Sequence, residues 1–137
     1  MADRTQRTGT DRLTGRLLRG RAHAEQSVRD ILATRTGTRV MRLDYGSDLA
    51  ALRGENLTAV NVLRAYAEIV EAVHSQEPAV RIARIVPAHL EGRAGVIGFD
   101  LYLRFYTYGH LGDYSVVEDM DIRVPVTALA RGTGALA

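Results

Sequence analysis

Four residue types in this chain could carry chemistry, and their spacing decides whether they do. The histidines are His23, His74, His89 and His110. No two stand four apart, and none has a carboxylate at the spacing that gathers metal ligands on one helix face. They read as surface or rim residues, and neither a metal nor a cofactor is expected. The serines are Ser27, Ser47, Ser75 and Ser115. None lies in a nucleophile-elbow motif, and Ser27 and Ser47 are placed to cap short helices. The glycines form neither a phosphate loop nor a dinucleotide fingerprint. The chain has no cysteine, which excludes a disulfide framework and a thiolate zinc site.

Carboxylates are the remaining candidates, because a glycosidase needs only two. Glu77 precedes Pro78 at a helix-to-strand corner, and Glu118, Asp119 and Asp121 cluster near the last strand. Tryptophan is absent, so no aromatic sugar platform accompanies them. The corner has a second use. Proline fixes it rigidly, and the carboxylate beside it can meet arginines of a partner. A solvated acid at a helix end is the plain alternative.

Charge divides the chain in two. All 18 basic residues are arginine, the residue suited to planar contacts with carboxylates. Residues 1–42 hold ten arginines and four acids, a net of +6; residues 43–137 hold eight and twelve, a net of −4. Two faces with different partners are implied. The basic stretch lacks interleaved aromatics and any nucleic-acid motif. No apolar run approaches the ~20 residues that span a bilayer, and the N-terminus has no secretory h-region.

The elements that would position these residues follow in order. Residues 1–10 read as a loose tail, or one that orders on a partner. Leu13, Leu17 and Leu18 give a short amphipathic helical turn over 11–19. Ser27 and Asp30 form a capping pair for a helix buried through Val28, Ile31 and Leu32, closed by Gly37. Arg39, Arg42 and Asp44 flank Val40–Met41 in a short extended piece, which turns at Gly46-Ser47. Asn56 caps the strongest helix, about 57–75, with Leu57, Val60, Leu63, Tyr66, Ala67, Val70 and Val73 as its apolar stripe and Pro78 beyond its end.

After Pro78 the period becomes two. Val80, Ile82 and Ala83–Ile85 make a strand ended by Pro87. Residues 91–95 suit a hairpin loop. Ile97, Phe99, Leu101, Leu103 and Phe105 face one way, and Asp100, Tyr102, Arg104 and Tyr106 face the other, as in an antiparallel sheet. A last strand lies at about 114–118 or 120–126, and Pro125 implies that it is at a sheet edge or that the ladder ends there. The expected fold is α+β: N-terminal helices, one of them long, packed on a C-terminal antiparallel sheet of three to four strands. The division is a basic extension over 1–23, one domain over 24–128 and a flexible tail over 129–137.

One stretch is distinctive. Gln26-Ser27-Val28-Arg29-Asp30-Ile31-Leu32, Thr34, Gly37-Thr38-Arg39-Val40-Met41-Arg42 and Asp44-Tyr45-Gly46-Ser47 resemble the signature of the phage baseplate assembly protein W family. That family includes the small wedge protein of T-even phage baseplates and the sheath-initiator subunits of R-type pyocins and type VI secretion baseplates. The resemblance covers about residues 24–126, specifically in the signature half and by pattern in the sheet half. The family commonly reads Glu-Pro-Arg at the corner; here it is Glu77-Pro78-Ala79, so an arginine role at 79 is not carried over.

The resemblance implies a non-enzymatic part in a contractile tail. Such a chain would sit in the tail baseplate of a phage or a phage-derived injection device, assembled in the host cytoplasm. It would template the first sheath ring by strand addition. The implied wedge-facing residues are Gln26, Arg39, Arg42, Asp44, Tyr45, Glu77 and Pro78. The implied sheath-facing residues are Tyr102, Arg104, Tyr106, Ile122 and Val124. Partners would be the sheath protein, wedge proteins, and tube or hub proteins through the basic N-terminus, in a sixfold assembly without membrane or nucleic acid. The alternatives are a lysozyme-like muralytic enzyme and a basic nucleic-acid adaptor.

Overall fold

The computed structural model describes residues 5–52, 58–89 and 97–125. Its longest helix, α2 (Ala59–Gln76), contains neither glycine nor proline. It ends where Pro78 disfavours helical geometry in the residue before it. The Thr58 hydroxyl accepts the Asn61 N–H and caps the start. Asn56, expected in that role, lies outside the described residues, as does Leu57. The stripe also differs from expectation. Ala65, Ile69, Ala72 and Val73 are buried, while Val60, Leu63 and Ala67 are exposed. Two overlapping stripes fit a 3.6-residue period here. The buried one carries two alanines, which let the helix approach its neighbours closely.

The N-terminal region is where expectation fails most. Residues 11–19 form no helix. Thr8–Thr10 (β1) and Leu17–Arg19 (β2) pair antiparallel as a small hairpin. Its turn is built by Asp11, whose carboxylate accepts from the Leu13 N–H at 2.9 Å and the Thr14 hydroxyl at 2.9 Å. These bonds, the Leu13 amide first, hold the Asp11 carboxyl below its ordinary range. Local bonding by a short polar side chain has beaten a helix of marginal length. From residue 5 onward, the stretch read as a loose tail is ordered against the domain.

Helix α1 (Gly20–Ala33) therefore starts seven residues before the expected cap. Ser27 sits in its interior. The buried stripe is the expected Val28, Ile31 and Leu32, extended by Ala24. The Thr34 N–H and hydroxyl both donate to the Asp30 carbonyl and close the helix, so Gly37 lies in the turn beyond it.

The sheet has three antiparallel strands in the order β3 (Val80–His89), β4 (Ile97–Tyr108), β5 (Asp113–Pro125). Both helices lie on one face, α2 along β3 and α1 over β4 and β5. Phe99, Leu101, Leu103 and Phe105 of β4 meet Met120, Ile122 and Val124 of β5 under them. Ala83 is an extra residue between the pairs Ile82–Leu103 and Arg84–Tyr102. That bulge returns Ile85 to the core side, which accounts for the lapse of alternation at Ala83–Ile85. Strand β3 continues past Pro87, opposite Phe99, because a proline is tolerated on an edge strand. The last strand is one continuous element, not either shorter alternative. The loop over 91–95 and the tail over 129–137 lie outside the described residues.

Candidate functional site

The corner before β3 is sealed from within. Glu77 is 3 % exposed. Its carboxylate accepts two bonds from the Arg7 guanidinium, at 2.5 and 3.1 Å, and a third from the Ser27 hydroxyl at 2.6 Å. Arg7 Nε also donates to His23 Nδ1 at 3.0 Å. Burial first, and then the Arg7 charge, push the His23 imidazole below its ordinary value, against a weaker pull from Glu77. His23 is thus a half-buried acceptor for Arg7. Gly9 lies flat on it; a Cβ there would stand 2.2 Å from His23 Nε2. Gln26 bridges the hairpin to α1, donating to the Thr10 carbonyl at 2.9 Å and accepting from the Arg12 N–H at 3.0 Å.

Ala79 is fully buried against Gly109, where a β-carbon would come within 2.8 Å of the Ala79 Cα. A larger side chain at 79 would have to displace these neighbours. The guanidinium that meets Glu77 comes from Arg7, through the docked hairpin. Pro78 is exposed beside it.

A second cluster is built on the loop from Thr34 to Ser47. Its ends are tied together: the Ser47 N–H donates to the Thr34 carbonyl at 2.8 Å and the Thr36 N–H to the Ser47 carbonyl at 3.3 Å. Gln76, at the end of α2, grips Gly46 by both backbone groups, each at 2.8 Å. Gly46 has φ +113°, and a β-carbon there would lie 2.3 Å from the Thr34 carbonyl oxygen, so only glycine fits. Ser47 does not cap the following 3-10 turn, Leu49–Leu52, with its side chain; its hydroxyl donates to the Leu32 carbonyl.

Asp30 is the hub of this cluster. It accepts from the Tyr45 hydroxyl at 2.7 Å and from Arg39 at 3.0 Å, with Arg12 of the hairpin at 3.8 Å. The Arg39 guanidinium lies 4.0 Å from the Tyr45 ring centre, and Arg42 lies 5.5 Å away on the same ring. Burial first, then the bond to Asp30 and its charge, push the Tyr45 phenol up to about 12. Arg42 and Asp44 approach at 3.7 Å in the open. Val40–Met41 is not extended: it is a turn with Met41 at φ +65°. Of the residues assigned to a wedge contact, the structure gathers Arg39, Arg42, Asp44 and Tyr45 here. It commits Gln26 and Glu77 to intramolecular bonds.

The sheet supplies a third surface. Tyr102, Arg104 and Tyr106 stand on the face away from the helices, with Arg84 stacked 5.7 Å from the Tyr102 ring and Tyr106 edge-on to Tyr114 at 5.2 Å. Asp100 and Arg123 form a two-pronged pair across β4 and β5, which lowers the Asp100 carboxyl. Ile122 and Val124 are buried, so their side chains are core residues and only their strand can face a partner.

The outer edge of β5 follows from register. The Tyr106 N–H reaches the Ala79 carbonyl on the β3 side. Alternation turns Phe105, Leu103 and Leu101 toward their partners Glu118, Met120 and Ile122. The backbone groups of Asp119, Asp121 and Arg123 then point off the sheet. In agreement, Arg29 of α1 donates to the Arg123 carbonyl at 3.0 Å. The edge at Asp119 and Asp121 carries no bond from α1.

Among the described residues, no three His, Asp or Glu side chains are grouped as a metal ion requires. No helix among them is long and apolar enough to cross a membrane. Two helices over a three-stranded sheet, with a clamped loop on one side and, among the described residues, an unpaired strand edge on another, define a small α+β domain.

Residues 18–107 match the baseplate wedge protein gp25 family, and the chain belongs to that family. It is a component of a contractile-tail baseplate. Baseplate protein W of Escherichia phage P2 is 36 % identical over 89 residues, 64 % of this chain and 77 % of that protein. A chain of the postcontraction pyocin R2 baseplate is 28 % identical, with a TM-score of 0.59 over 83 % of this chain and 97 % of its own. Two others share the fold alone. A candidate tail lysozyme from Geobacter sulfurreducens has a TM-score of 0.63 at 21 % identity, over 76 % of this chain and 86 % of its own. A chain of the anti-feeding prophage baseplate has a TM-score of 0.56 at 20 % identity, over 90 % of this chain and 80 % of its own.

The residues that sequence reasoning missed are Arg7, His23 and Gln76. All three act across long sequence separations. The available signals were one arginine among several before a threonine-rich strand and an amide at the end of the long helix, neither of which names its partner.

Proposed function

We propose that the chain anchors to the baseplate wedge through the Asp30-centred loop and starts the tail sheath through the outer edge of β5. The observation that carries this reading is the edge position of β5, a strand of 13 residues whose outer side at Asp119 and Asp121 is paired by no strand among the described residues. A row of free donors and acceptors is a template for a strand of another chain. Each backbone bond so formed contributes ~1 kcal/mol net, and repetition around a symmetric ring multiplies that gain. Exposed Arg12, Arg16, Arg19 and Arg21 on and beside the hairpin offer a basic surface to tube or hub proteins.

The role is structural, not enzymatic. Glu77 is occupied by Arg7 and Ser27, Asp100 by Arg123, and Asp30 by Tyr45 and Arg39. Of the other acids the sequence singled out, Glu118, Asp119 and Asp121 stand exposed along β5, and membership of a baseplate wedge family supports the structural role over acid–base work on a glycan.

The test is to produce particles in a host lacking this chain and image them. Baseplates or tubes without extended sheath are expected, with rescue by the full chain. Full sheaths in its absence would overturn the sheath role. Release of fragments from peptidoglycan by the purified chain, at acidic or neutral pH, would restore the muralytic reading.

A further inference from the structure

We propose that Val40, Met41 and Leu43 form a preformed plug that seats in an apolar pocket rimmed by carboxylates on a neighbouring baseplate protein. The inference rests on the reading that the 34–47 loop faces the wedge, and it names what that contact recognises.

The three side chains are 84 %, 93 % and 63 % exposed. They fall within positions 40–43, interrupted by Arg42, in a single loop. Scattered surface apolar residues need no explanation, but a contiguous apolar projection does. The domain core closes without them.

The loop is held in shape. The Gly37 N–H donates to the Leu43 carbonyl at 2.9 Å, the Arg42 N–H to the Arg39 carbonyl and the Tyr45 N–H to the Arg42 carbonyl. Below them, Tyr45 is fixed by Asp30 and Gly46 by Gln76. Met41, at the summit, has positive φ without being glycine. Such a conformation persists only where its surroundings impose it, and it accompanies binding sites. A side chain pre-set in its bound geometry loses little freedom on docking.

The rim fixes the partner's chemistry. Arg35, Arg39 and Arg42 are all exposed around the tip. Among the described residues, Asp44 pairs with Arg42, at 3.7 Å. An apolar centre inside a cationic ring is complemented by an apolar pocket with an acidic edge, and arginine is suited to carboxylates at such a rim. A lipid surface would accept the same composition, but it gains nothing from a rigidly shaped tip, and the acids Asp44 and Asp48 beside the loop oppose anionic headgroups.

The probe is the baseplate particle isolated from a host lacking this chain, titrated with the purified full-length protein. Met41→Asp and Val40→Asp are expected to weaken binding tenfold or more. Met41→Leu should bind like the native chain, and Arg42→Glu should weaken binding and remove most of its salt dependence. Because Val40 and Met41 are exposed, thermal unfolding of both Asp variants should match the native chain. Unchanged binding by both Asp variants would overturn the plug while leaving the baseplate role standing. Failure of the native chain to bind would remove both readings. Binding to phosphatidylglycerol vesicles that Met41→Asp abolishes would replace the protein pocket with a membrane.

Discussion

Arg7 and Glu77, seventy positions apart, join by two parallel hydrogen bonds in the interior of the corner between α2 and β3. Through that pair the N-terminal hairpin becomes part of the domain, and the corner acquires an internal guanidinium.

Removing one member leaves the other charged and mostly buried, with side-chain exposures of 14 % for Arg7 and 4 % for Glu77. Arg7→Ala and Glu77→Ala should each lower unfolding stability by about 3 kcal/mol, the range for one broken partner of a buried pair. Chemical denaturation measures this. A double variant, Arg7→Met with Glu77→Met, should recover much of the loss, since no unpaired charge remains. Single variants within 0.5 kcal/mol of the native chain, roughly the scatter of neutral surface changes, would show the pair to be incidental.

Two imidazoles set the acid side of stability. His23 accepts from Arg7, and His74 Nε2 accepts the Ile82 N–H at 3.0 Å. Burial first, then a neighbouring arginine, holds each below its ordinary value of 6.5. The unfolded chain takes up protons near 6.5 that the folded chain refuses. Their contribution is therefore complete above pH 6.5 and falls as pH drops below it, until the lowered folded values are passed. Denaturation midpoints measured from pH 8 to pH 5 should decline, and His74→Gln should flatten part of the slope. A rise toward acid pH would contradict the assignment.

What the sequence made legible was what short-range pattern controls. The β4 alternation, the buried stripe of α1 and the stop at Pro78 all follow from local period and local stereochemistry, and all are present. The hairpin was missed because Leu13, Leu17 and Leu18 also fit a helical period. Asp11 and Thr14 decide against it by bonds that periodicity does not weigh. The stripe of α2 shifted because two registers were equally apolar and only the packing partner selects one. In the signature stretch, Arg39, Arg42, Asp44 and Tyr45 did converge. Its organising contacts, Asp30 with Tyr45 and Gln76 with Gly46, span 15 and 30 residues and leave no local trace.

Tyr45 gives that loop a spectroscopic signature. Its phenol is pushed up to about 12 from an ordinary value of 10. The folded chain keeps this proton where the unfolded chain loses it, so the stabilisation is complete below pH 10 and is lost as pH rises through about 12. Tyrosinate absorbance should show a late step belonging to Tyr45. Tyr45→Phe should remove that step, and Asp30→Asn should move it down. A native titration in which all tyrosines ionise near 10 would show the loop to be open.

The Gln76–Gly46 clamp sets the shape of the loop. Gly46→Ala would place a β-carbon against the Thr34 carbonyl at a φ that disfavours side chains. The expected cost is about 1–3 kcal/mol. Gln76→Ala should cost less globally but speed amide exchange at Gly46, because it removes both bonds without steric conflict. Native-like stability for Gly46→Ala would mean that the loop relaxes freely and that its tip is not fixed.

The open edge of β5 separates strand addition from mere folding. Proline is compatible with an edge strand when its missing N–H faced outward, and the register assigns that orientation to Asp119 and Asp121. Asp121→Pro should therefore keep the β4–β5 ladder and most of the stability while deleting one outward donor. Met120→Pro removes an inward donor from a buried position and should unfold the sheet, which gives the contrast. With Asp121→Pro, baseplates should form and carry the chain, but sheath assembly on them should fail or start late in electron micrographs. Asp121→Ala keeps the backbone donor and should assemble sheath normally, which separates loss of the N–H from loss of the carboxylate. Normal sheath growth on Asp121→Pro baseplates would mean that the sheath engages another surface, such as the Tyr102–Arg104–Tyr106 face.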